Sequence, residues 1–271
     1  MRLRKALALV SLLPSHPREF LDRVSTIVEV QIDRISQSPQ HHEVKDWNHT
    51  ICDLAGSLGA RIAEFLGESH LARIEEHVRH EAKLLPAEAP FTTAHNADFA
   101  LAKMCYVLCR TVRPKYVLET GVAYGVTSAF ILQALAANSH GELHSVDLPP
   151  LGKDADRFVG YFVPEDLRSR WILHRGSSRR VLPKLLQELA TVDIFIHDSL
   201  HTARHMRWEF DSVTPLLAHP GVLVADDVDG NTAFADWVMK VRPGYSAVIR
   251  EPDKGGLFGL AVLHNATNSH P

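Results

Sequence analysis

A regular alternation of strand and helix after residue 90 is the strongest constraint on how this 271-residue chain folds. Short apolar segments that end in glycine, aspartate or histidine predict strands, and the longer segments between them predict helices. We predict seven strands, over residues 116–119, 142–147, 171–174, 192–197, 222–225, 245–250 and 257–263. Repeated βα units require a parallel sheet with helices on both faces. The sequence therefore predicts a doubly wound, mostly parallel, seven-stranded α/β fold. Its last two strands follow one another without a helix, which implies one antiparallel strand at the sheet edge.

The first ninety residues have helical spacing and little strand character. Apolar residues recur at three- and four-residue steps over 20–35 and again over 51–62. We therefore expect an N-terminal helical region over residues 1–90, serving as a cap or for oligomerisation, and a ligand-binding catalytic domain over residues 91–271. The apolar helices are compatible with a homodimer.

Composition excludes several classes of partner. The formal net charge of −3 lacks the basic excess that binds nucleic acid. Three cysteines cannot form a disulfide framework, which indicates a reducing, cytoplasmic compartment. No apolar run approaches the ~20 residues that span a membrane. The run from Ala6 to Leu13 follows basic residues as in a signal peptide, but it lacks a cleavage pattern, so a terminal helix is favoured.

A glycine-containing loop follows the first predicted strand of the sheet. Its sequence runs from Glu119 to Gly125, with Gly121 placed where the chain must turn. The G-x-x-x-G spacing differs from the G-x-G-x-x-G of dinucleotide-binding loops. A carboxylate such as Glu119 would repel a pyrophosphate and would suit an ammonium group.

The next two strand ends extend the pattern. Asp147 ends the second predicted strand, where a carboxylate can accept both hydroxyl groups of a ribose. Gly176, Ser177 and Ser178 follow the third strand and can line an adenine ring. Together with the glycine loop, these residues describe a site for a nucleoside amino acid, and S-adenosylmethionine fits. The alternative is a tight strand-to-helix turn without a ligand.

Aspartates follow the fourth and fifth predicted strands. Asp198 follows one strand, and Asp226 and Asp227 follow the other. Neighbouring parallel strands would bring these carboxylates to one edge, where their repulsion would require a cation. Oxygen ligands favour a hard divalent ion such as Mg²⁺. The alternative for each aspartate alone is a helix cap or a solvated strand end.

One histidine stands beside this acidic cluster. His201 follows Asp198 by three residues, and a neutral imidazole there can accept a proton from a hydroxyl group. The alternative is an ordinary surface histidine, which is what we expect of His205 and His219.

These segments resemble a known family. The runs VLETGVAYGVTS, HSVD, RGSS, IFIHDSLH and VLVADDV are similar to those of class I S-adenosylmethionine-dependent methyltransferases. The metal-dependent O-methyltransferases that act on catechols and on macrolide sugars are the more similar group. The resemblance covers roughly residues 92–264 and implies a Rossmann-like methyltransferase fold.

The resemblance also implies roles for residues at matching positions. The methionine part of the cofactor would contact Glu119, Gly121, Gly125 and Thr127, and the ribose would contact Asp147. The adenine side would contact Gly176, Ser177 and Ser178. The metal ligands would be Asp198, Asp226 and Asp227, the last of which is an asparagine in the catechol enzymes. His201 falls on the catalytic base.

The expected activity is therefore metal-assisted methylation of a hydroxyl group on a small molecule or a sugar. Two alternatives stay open at this stage, an oxygenase component of the same fold and a non-catalytic cofactor-binding scaffold. The acceptor would be enclosed by the N-terminal helices and by residues 152–164, a segment long enough to act as a lid.

Overall fold

The computed structural model describes residues 2–36, 42–58, 62–93, 96–152 and 154–263. Among these residues, no helix combines the length and the apolar character that a membrane crossing requires.

One mixed sheet forms the centre of the molecule. The described strands are β1 Val44–Lys45, β2 Tyr116–Thr120, β3 Glu142–Asp147, β4 Trp171–Arg175, β5 Val192–His197, β6 Leu217–Ala225, β7 Tyr245–Arg250 and β8 Leu257–Leu263. Their order across the sheet is β1-β7-β8-β6-β5-β2-β3-β4. Only β8 runs antiparallel to its neighbours β6 and β7, and the other described pairs are parallel. The doubly wound, mostly parallel fold expected from the sequence is confirmed.

Helices cover both faces of the sheet, and several of them precede β2 in the sequence. They are α1 Arg2–Val10, α2 Pro17–Ser36, α3 Trp47–Leu58, α4 Ile62–Leu66, α5 Ser69–Lys83, α6 Phe99–Val112, α7 Val126–Asn138, α8 Ser178–Leu189, α9 Ala203–Val213 and α10 Ala233–Val241. The start of α6 shows how side chains set the boundaries, because the Asp98 carboxylate accepts a hydrogen bond of 2.7 Å from the Ala100 amide.

Two details of the predicted sheet were wrong. The sheet has eight described strands, because the two residues of β1 pair with Val248 and Ile249 of β7. A two-residue strand has no hydrophobic alternation from which to predict it. The antiparallel strand β8 also lies inside the sheet rather than at its edge, since it pairs on both sides. This position buries all seven of its residues, most of which are apolar.

Alternate side chains of the strands enter two hydrophobic clusters, one on each face. In β5, Ile194 and Ile196 belong to the cluster formed with α5, α6 and α7, whereas Phe195 belongs to the cluster formed with α8, α9 and α10. Ile51 and Leu71, which precede residue 90, also pack into the first cluster. The division of the chain at residue 90 stays a prediction.

Candidate active site

A cavity of about 820 Å³ opens at the carboxyl ends of the central parallel strands. One residue from each of five strand ends lies in its wall, namely Gly121, Asp147, Gly176, Asp198 and Asp226. This is the edge at which ligands bind in open α/β sheets, and its volume is in the range of small-molecule sites.

The glycine loop places its backbone directly against the next strand. Gly121 has a φ of +85°, and a Cβ atom there would lie 1.8 Å from the carbonyl oxygen of Asp198. Glycine is therefore required at this position. Gly125 has the same φ and caps α7, and a Cβ atom on it would lie 2.8 Å from the Cα atom of Gly160. Gly125 is not in the cavity wall.

Asp147 holds the same loop from the end of β3. Its Oδ2 atom accepts hydrogen bonds from the amides of Val122 (2.8 Å) and Ala123 (3.0 Å). Burial raises the pKa of Asp147, and these two bonds oppose that shift. Both bonds use Oδ2, and Asp147 lines the cavity.

Two other predicted cofactor residues lie behind the cavity rather than in its wall. Glu119 is fully buried, and its Oε2 atom accepts hydrogen bonds from Ser128 (2.7 Å) and Ser145 (2.6 Å). Burial raises the pKa of Glu119 to about 7, so this carboxyl group is partly protonated at neutral pH. Thr127 is also buried, and its hydroxyl has no hydrogen-bond partner within the described part of the chain.

The small residues after β4 do lie in the cavity wall. Gly176, Ser177 and Ser178 all line the cavity. The Ser177 hydroxyl donates a hydrogen bond of 2.7 Å to Asp22 of α2. The Ser178 hydroxyl lies 2.9 Å from Nε2 of His205. Both side chains are thus fixed by neighbouring elements.

The predicted aspartates meet at one end of the cavity. Ligand atoms of Asp198, His201 and Asp226 lie within 4.8 Å of one another, and the same holds for Asp226, Asp227 and Glu251. Asp226 belongs to both groups and is 1% exposed, and its Oδ2 atom has no hydrogen-bond partner among the residues described. Burial and the neighbouring Asp226 raise the pKa of Asp198. Such a cluster is the environment that a divalent cation would stabilise.

Glu251 is a member of this cluster that the sequence analysis missed. It is fully buried, and neither carboxylate oxygen has a hydrogen-bond partner in the described ranges. Burial and the charge of Asp226 raise its pKa. The turn that carries Glu251 is fixed by Asp98, whose Oδ2 atom accepts the amides of Asp253 (2.9 Å) and Lys254 (3.1 Å). A carboxylate directly after a strand was the available signal.

His201 bridges the two aspartate-bearing strand ends. Its Nδ1 atom lies 2.6 Å from Oδ2 of Asp227, and its Nε2 atom lies 3.6 Å from Oδ1 of Asp198. Burial would lower its pKa, but the two carboxylates raise the pKa of His201 to about 10. The neighbouring carboxylates therefore favour the protonated form of this imidazole.

A further buried carboxylate, Glu209, holds the residues around Asp198 in place. Glu209 of α9 is fully buried and accepts hydrogen bonds at 2.6 Å from both Thr120 and His197. Ser199 (3.1 Å) and His205 (2.9 Å) contact its other oxygen. Glu209 thus joins the residues on both sides of Asp198 to the end of β2. His205, which we expected at the surface, is 5% exposed, so that prediction was wrong. The His205 ring lies in the interior because its Nε2 atom contacts the buried Glu209 carboxylate.

The N-terminal helices complete the cavity. Ala6 and Leu9 of α1, with Arg23, Thr26 and Ile27 of α2, lie in its wall. Arg23 also donates a hydrogen bond of 2.7 Å to the carbonyl of Pro149, just after β3. The helices that precede the sheet in sequence therefore cover the mouth of the site.

Comparison with known proteins identifies the domain that carries this site. Residues 118–228 match the family model described as a methyltransferase domain. The match begins in β2 and ends just after Asp226 and Asp227 of the acidic cluster. Residues 118–228 therefore form a methyltransferase domain, and the resemblance to class I S-adenosylmethionine-dependent methyltransferases is confirmed. Comparison with curated protein sequences finds no match.

Solved structures share the fold at low sequence identity. A putative O-methyltransferase from Klebsiella pneumoniae superimposes with a TM-score of 0.53 at 16% identity, covering 83% of this chain and 100% of that one. The O-methyltransferase TomG from Streptomyces achromogenes, solved with SAM, gives 0.51 at 17% identity, with 83% and 100% coverage. An O-methyltransferase from Bacillus cereus, solved with SAH, gives 0.51 at 14% identity, with 72% and 91% coverage. At these identities the likeness establishes a common fold.

Proposed function

We propose that this methyltransferase domain transfers a methyl group from S-adenosylmethionine to a hydroxyl group of a small molecule or a sugar, assisted by a divalent cation such as Mg²⁺. The observation that carries the proposal is the meeting of two features in one cavity. The glycine loop and Asp147 lie at one part of its wall, and the buried acidic cluster around Asp226 lies at another. The solved neighbours that contain SAM or SAH support the choice of cofactor.

The cavity wall offers groups that match each part of S-adenosylmethionine. Gly121 has no side chain, so the loop would leave room for the methionine part. Asp147 Oδ1 would accept hydrogen bonds from the ribose hydroxyls, and Gly176 to Ser178 would border the adenine. Glu119, Gly125 and Thr127 lie behind the wall, so we propose that they shape the loop that holds the methionine part. When bound, the cofactor supplies a methyl group on a positively charged sulfur.

The donor set of the acidic cluster fits a hard divalent cation. Asp226 Oδ2 and both oxygens of Glu251 are buried without partners within the described residues, which is costly unless a cation or a proton is present. We propose Asp198, Asp226 and Asp227 as the metal ligands, with Glu251 as a further carboxylate grouped with Asp226 and Asp227. When bound, the cation would favour the ionised form of the acceptor hydroxyl.

His201 is the base in this proposal. A cation on the carboxylates of Asp198 and Asp227 would offset the charges that now raise the pKa of His201, so a neutral imidazole would become accessible. Its Nδ1 atom is held by Asp227, which leaves Nε2 to take the hydroxyl proton. In the transfer, the carbon–sulfur bond breaks as the oxygen–carbon bond forms, and positioning of the two reactants supplies much of the rate.

The acceptor that suits such an ion has two adjacent oxygens, as in a vicinal diol of a sugar or an aromatic ring. The N-terminal helices would enclose the acceptor, because α1 and α2 line the cavity and Glu29 of α2 accepts a hydrogen bond from Thr202, next to His201. We further propose a cytoplasmic location, since the free cysteines at positions 105 and 109 are buried thiols and not disulfides.

The decisive experiment is incubation with isotope-labelled S-adenosylmethionine, Mg²⁺ and a panel of vicinal diols, read by mass spectrometry. A product heavier by a labelled methyl group in place of a hydrogen supports the proposal. A product heavier by one oxygen identifies an oxygenase component instead. Transfer that is unaffected in a His201→Asn variant would remove the base from the mechanism, and the absence of any product with cofactor bound would favour a non-catalytic scaffold.

A further inference from the structure

The N-terminal helices carry apolar side chains that are exposed. We define the outer face of α1 and α2 by six of the apolar side chains there that are half or more exposed, namely Leu7 (62%), Val10 (59%), Leu21 (62%), Val28 (51%) and Ile35 (89%), with Leu13 (50%) from the turn between the helices. Leu21, Val28 and Ile35 are seven residues apart, so they lie on one side of α2. Apolar stripes of this kind are normally covered in a folded protein.

Every acidic residue of the two helices faces the opposite way. Glu19 pairs with Arg175, and Asp22 pairs with Arg180 and with Ser177. Further along α2, Glu29 pairs with Arg179 (3.1 Å) and accepts a hydrogen bond from Thr202 (2.6 Å). Asp33 accepts the amide of Ala203 at 2.9 Å. The four carboxylates of α2 thus all contact the methyltransferase domain, and α1 contains no acidic residue.

Among the side chains that the structure describes in the two helices, the exposed charged residues are basic. Arg18 and Arg34 of α2 are exposed, and the sequence of α1 adds Arg2, Arg4 and Lys5. An apolar stripe on helices whose exposed charges are positive is complementary to a surface that is apolar beneath a layer of negative charge. Anionic phospholipid has this arrangement, and amphipathic helices that lie in a lipid surface have the matching one.

We propose that the outer face of α1 and α2 docks the protein on an anionic lipid surface. The helices would lie in the plane of the surface, since none of the described helices suits a membrane crossing. Ile27 connects this surface to the site, because it lines the cavity and is 52% exposed. Docking would therefore bring the mouth of the cavity next to the lipid.

A second copy of the chain is the rival occupant of this face. Two copies packed through α2 would bring exposed basic residues such as Arg18 close together, whereas the carboxylates of α2 are engaged with the methyltransferase domain. The lipid surface satisfies both the apolar side chains and the charges, so the observations favour lipid over self-association.

The test is co-sedimentation of the full chain with vesicles of equal parts phosphatidylcholine and phosphatidylglycerol, compared with phosphatidylcholine alone. We expect binding to the anionic vesicles that weakens with added salt. The double variant Leu21→Ser, Val28→Ser should lower binding at least about tenfold, and Arg18→Ala should lower it about fivefold. Met239→Ser, at an apolar residue of α10 that is 67% exposed, is the matched control and should bind as the wild type does.

Three results would overturn the proposal. They are equal binding to both kinds of vesicle, binding unchanged in the double variant, and a dimer that the double variant converts to a monomer without any vesicle binding. Light scattering measures the mass in each case. Thermal melting and S-adenosylmethionine binding confirm that each variant is folded. Vesicle binding does not depend on catalysis, so failure of the proposed methyl transfer would leave this result interpretable.

Discussion

The Oε2 atom of Glu19 in α2 lies 2.7 Å from the Nη1 atom of Arg175, at the end of β4. Glu19 stands on a surface helix, yet it is only 6% exposed, and its Oε1 atom also bonds Arg23 at 2.7 Å. Because Arg175 directly precedes Gly176 and Ser177, this ion pair fixes the N-terminal helices beside the proposed adenine side of the cavity.

Acid should weaken this attachment. Burial would raise the pKa of Glu19, but hydrogen bonds from Arg175 and Arg23 lower it from its usual 4.5 to about 2. A lowered pKa means that the contribution to stability is complete above pH 4.5 and is lost as the pH falls toward 2. We expect Glu19→Gln to lower the free energy of unfolding in urea by a constant amount above pH 4.5, and by progressively less in acid.

The control for this prediction is Glu165→Gln. Glu165 pairs with Arg168 while its side chain is 93% exposed, so its removal should change the unfolding free energy little at any pH. A difference between wild type and Glu19→Gln that grows on acidification would contradict the assignment.

Alanine at position 121 should disable cofactor binding. The substitution forces a φ of +85° on a residue with a side chain and drives its Cβ atom into the backbone of Asp198. We expect the affinity for S-adenosylmethionine, measured by calorimetry, to fall at least about tenfold, since the loop must move. Gly56→Ala in α3 is the control, because no atom lies within 4 Å of its added Cβ, and it should stabilise the helix by up to ~1 kcal/mol.

Removal of the Glu209 carboxylate should destabilise the protein at the carboxyl ends of the central strands β2 and β5. Glu209→Ala leaves His197, Thr120 and His205 without their shared acceptor in the interior. We expect a loss of roughly 3–5 kcal/mol in the free energy of unfolding. Glu188→Ala, which breaks an exposed pair with Lys184, should cost less than about 1 kcal/mol. Equal losses in the two variants would show that Glu209 is not the hub of this network.

The central strands could be predicted from the sequence because local patterns determine them. The bounds predicted for 142–147, 192–197, 245–250 and 257–263 are those of β3, β5, β7 and β8. The strand order was harder to predict, because β8 inserts between β6 and β7 through pairings that no local pattern encodes. Glu251 was missed for a related reason, because β7 lies two strands from β6 and no local pattern shows that the carboxylate after β7 meets Asp226.

Site residues could be predicted from the sequence where their position at a strand end was enough to place them. Residues whose role depends on a side-chain contact with a distant part of the chain could not be predicted. Gly121, Asp147 and the aspartates follow strands, so topology alone places them at one edge. By contrast, Glu209 is defined by partners that include Thr120, 89 positions earlier, and Glu19 by a partner 156 positions away. Such long-range pairs depend on how helices pack on the sheet.

The central claim is that the acidic cluster holds a divalent cation next to the methyl group of S-adenosylmethionine. The most direct test is NMR relaxation of the isotope-labelled methyl group of the bound cofactor after Mn²⁺ is added. We predict strong relaxation enhancement in the wild type and none in Asp226→Asn, with cofactor affinity retained in both. Cofactor binding without enhancement in the wild type would contradict the account.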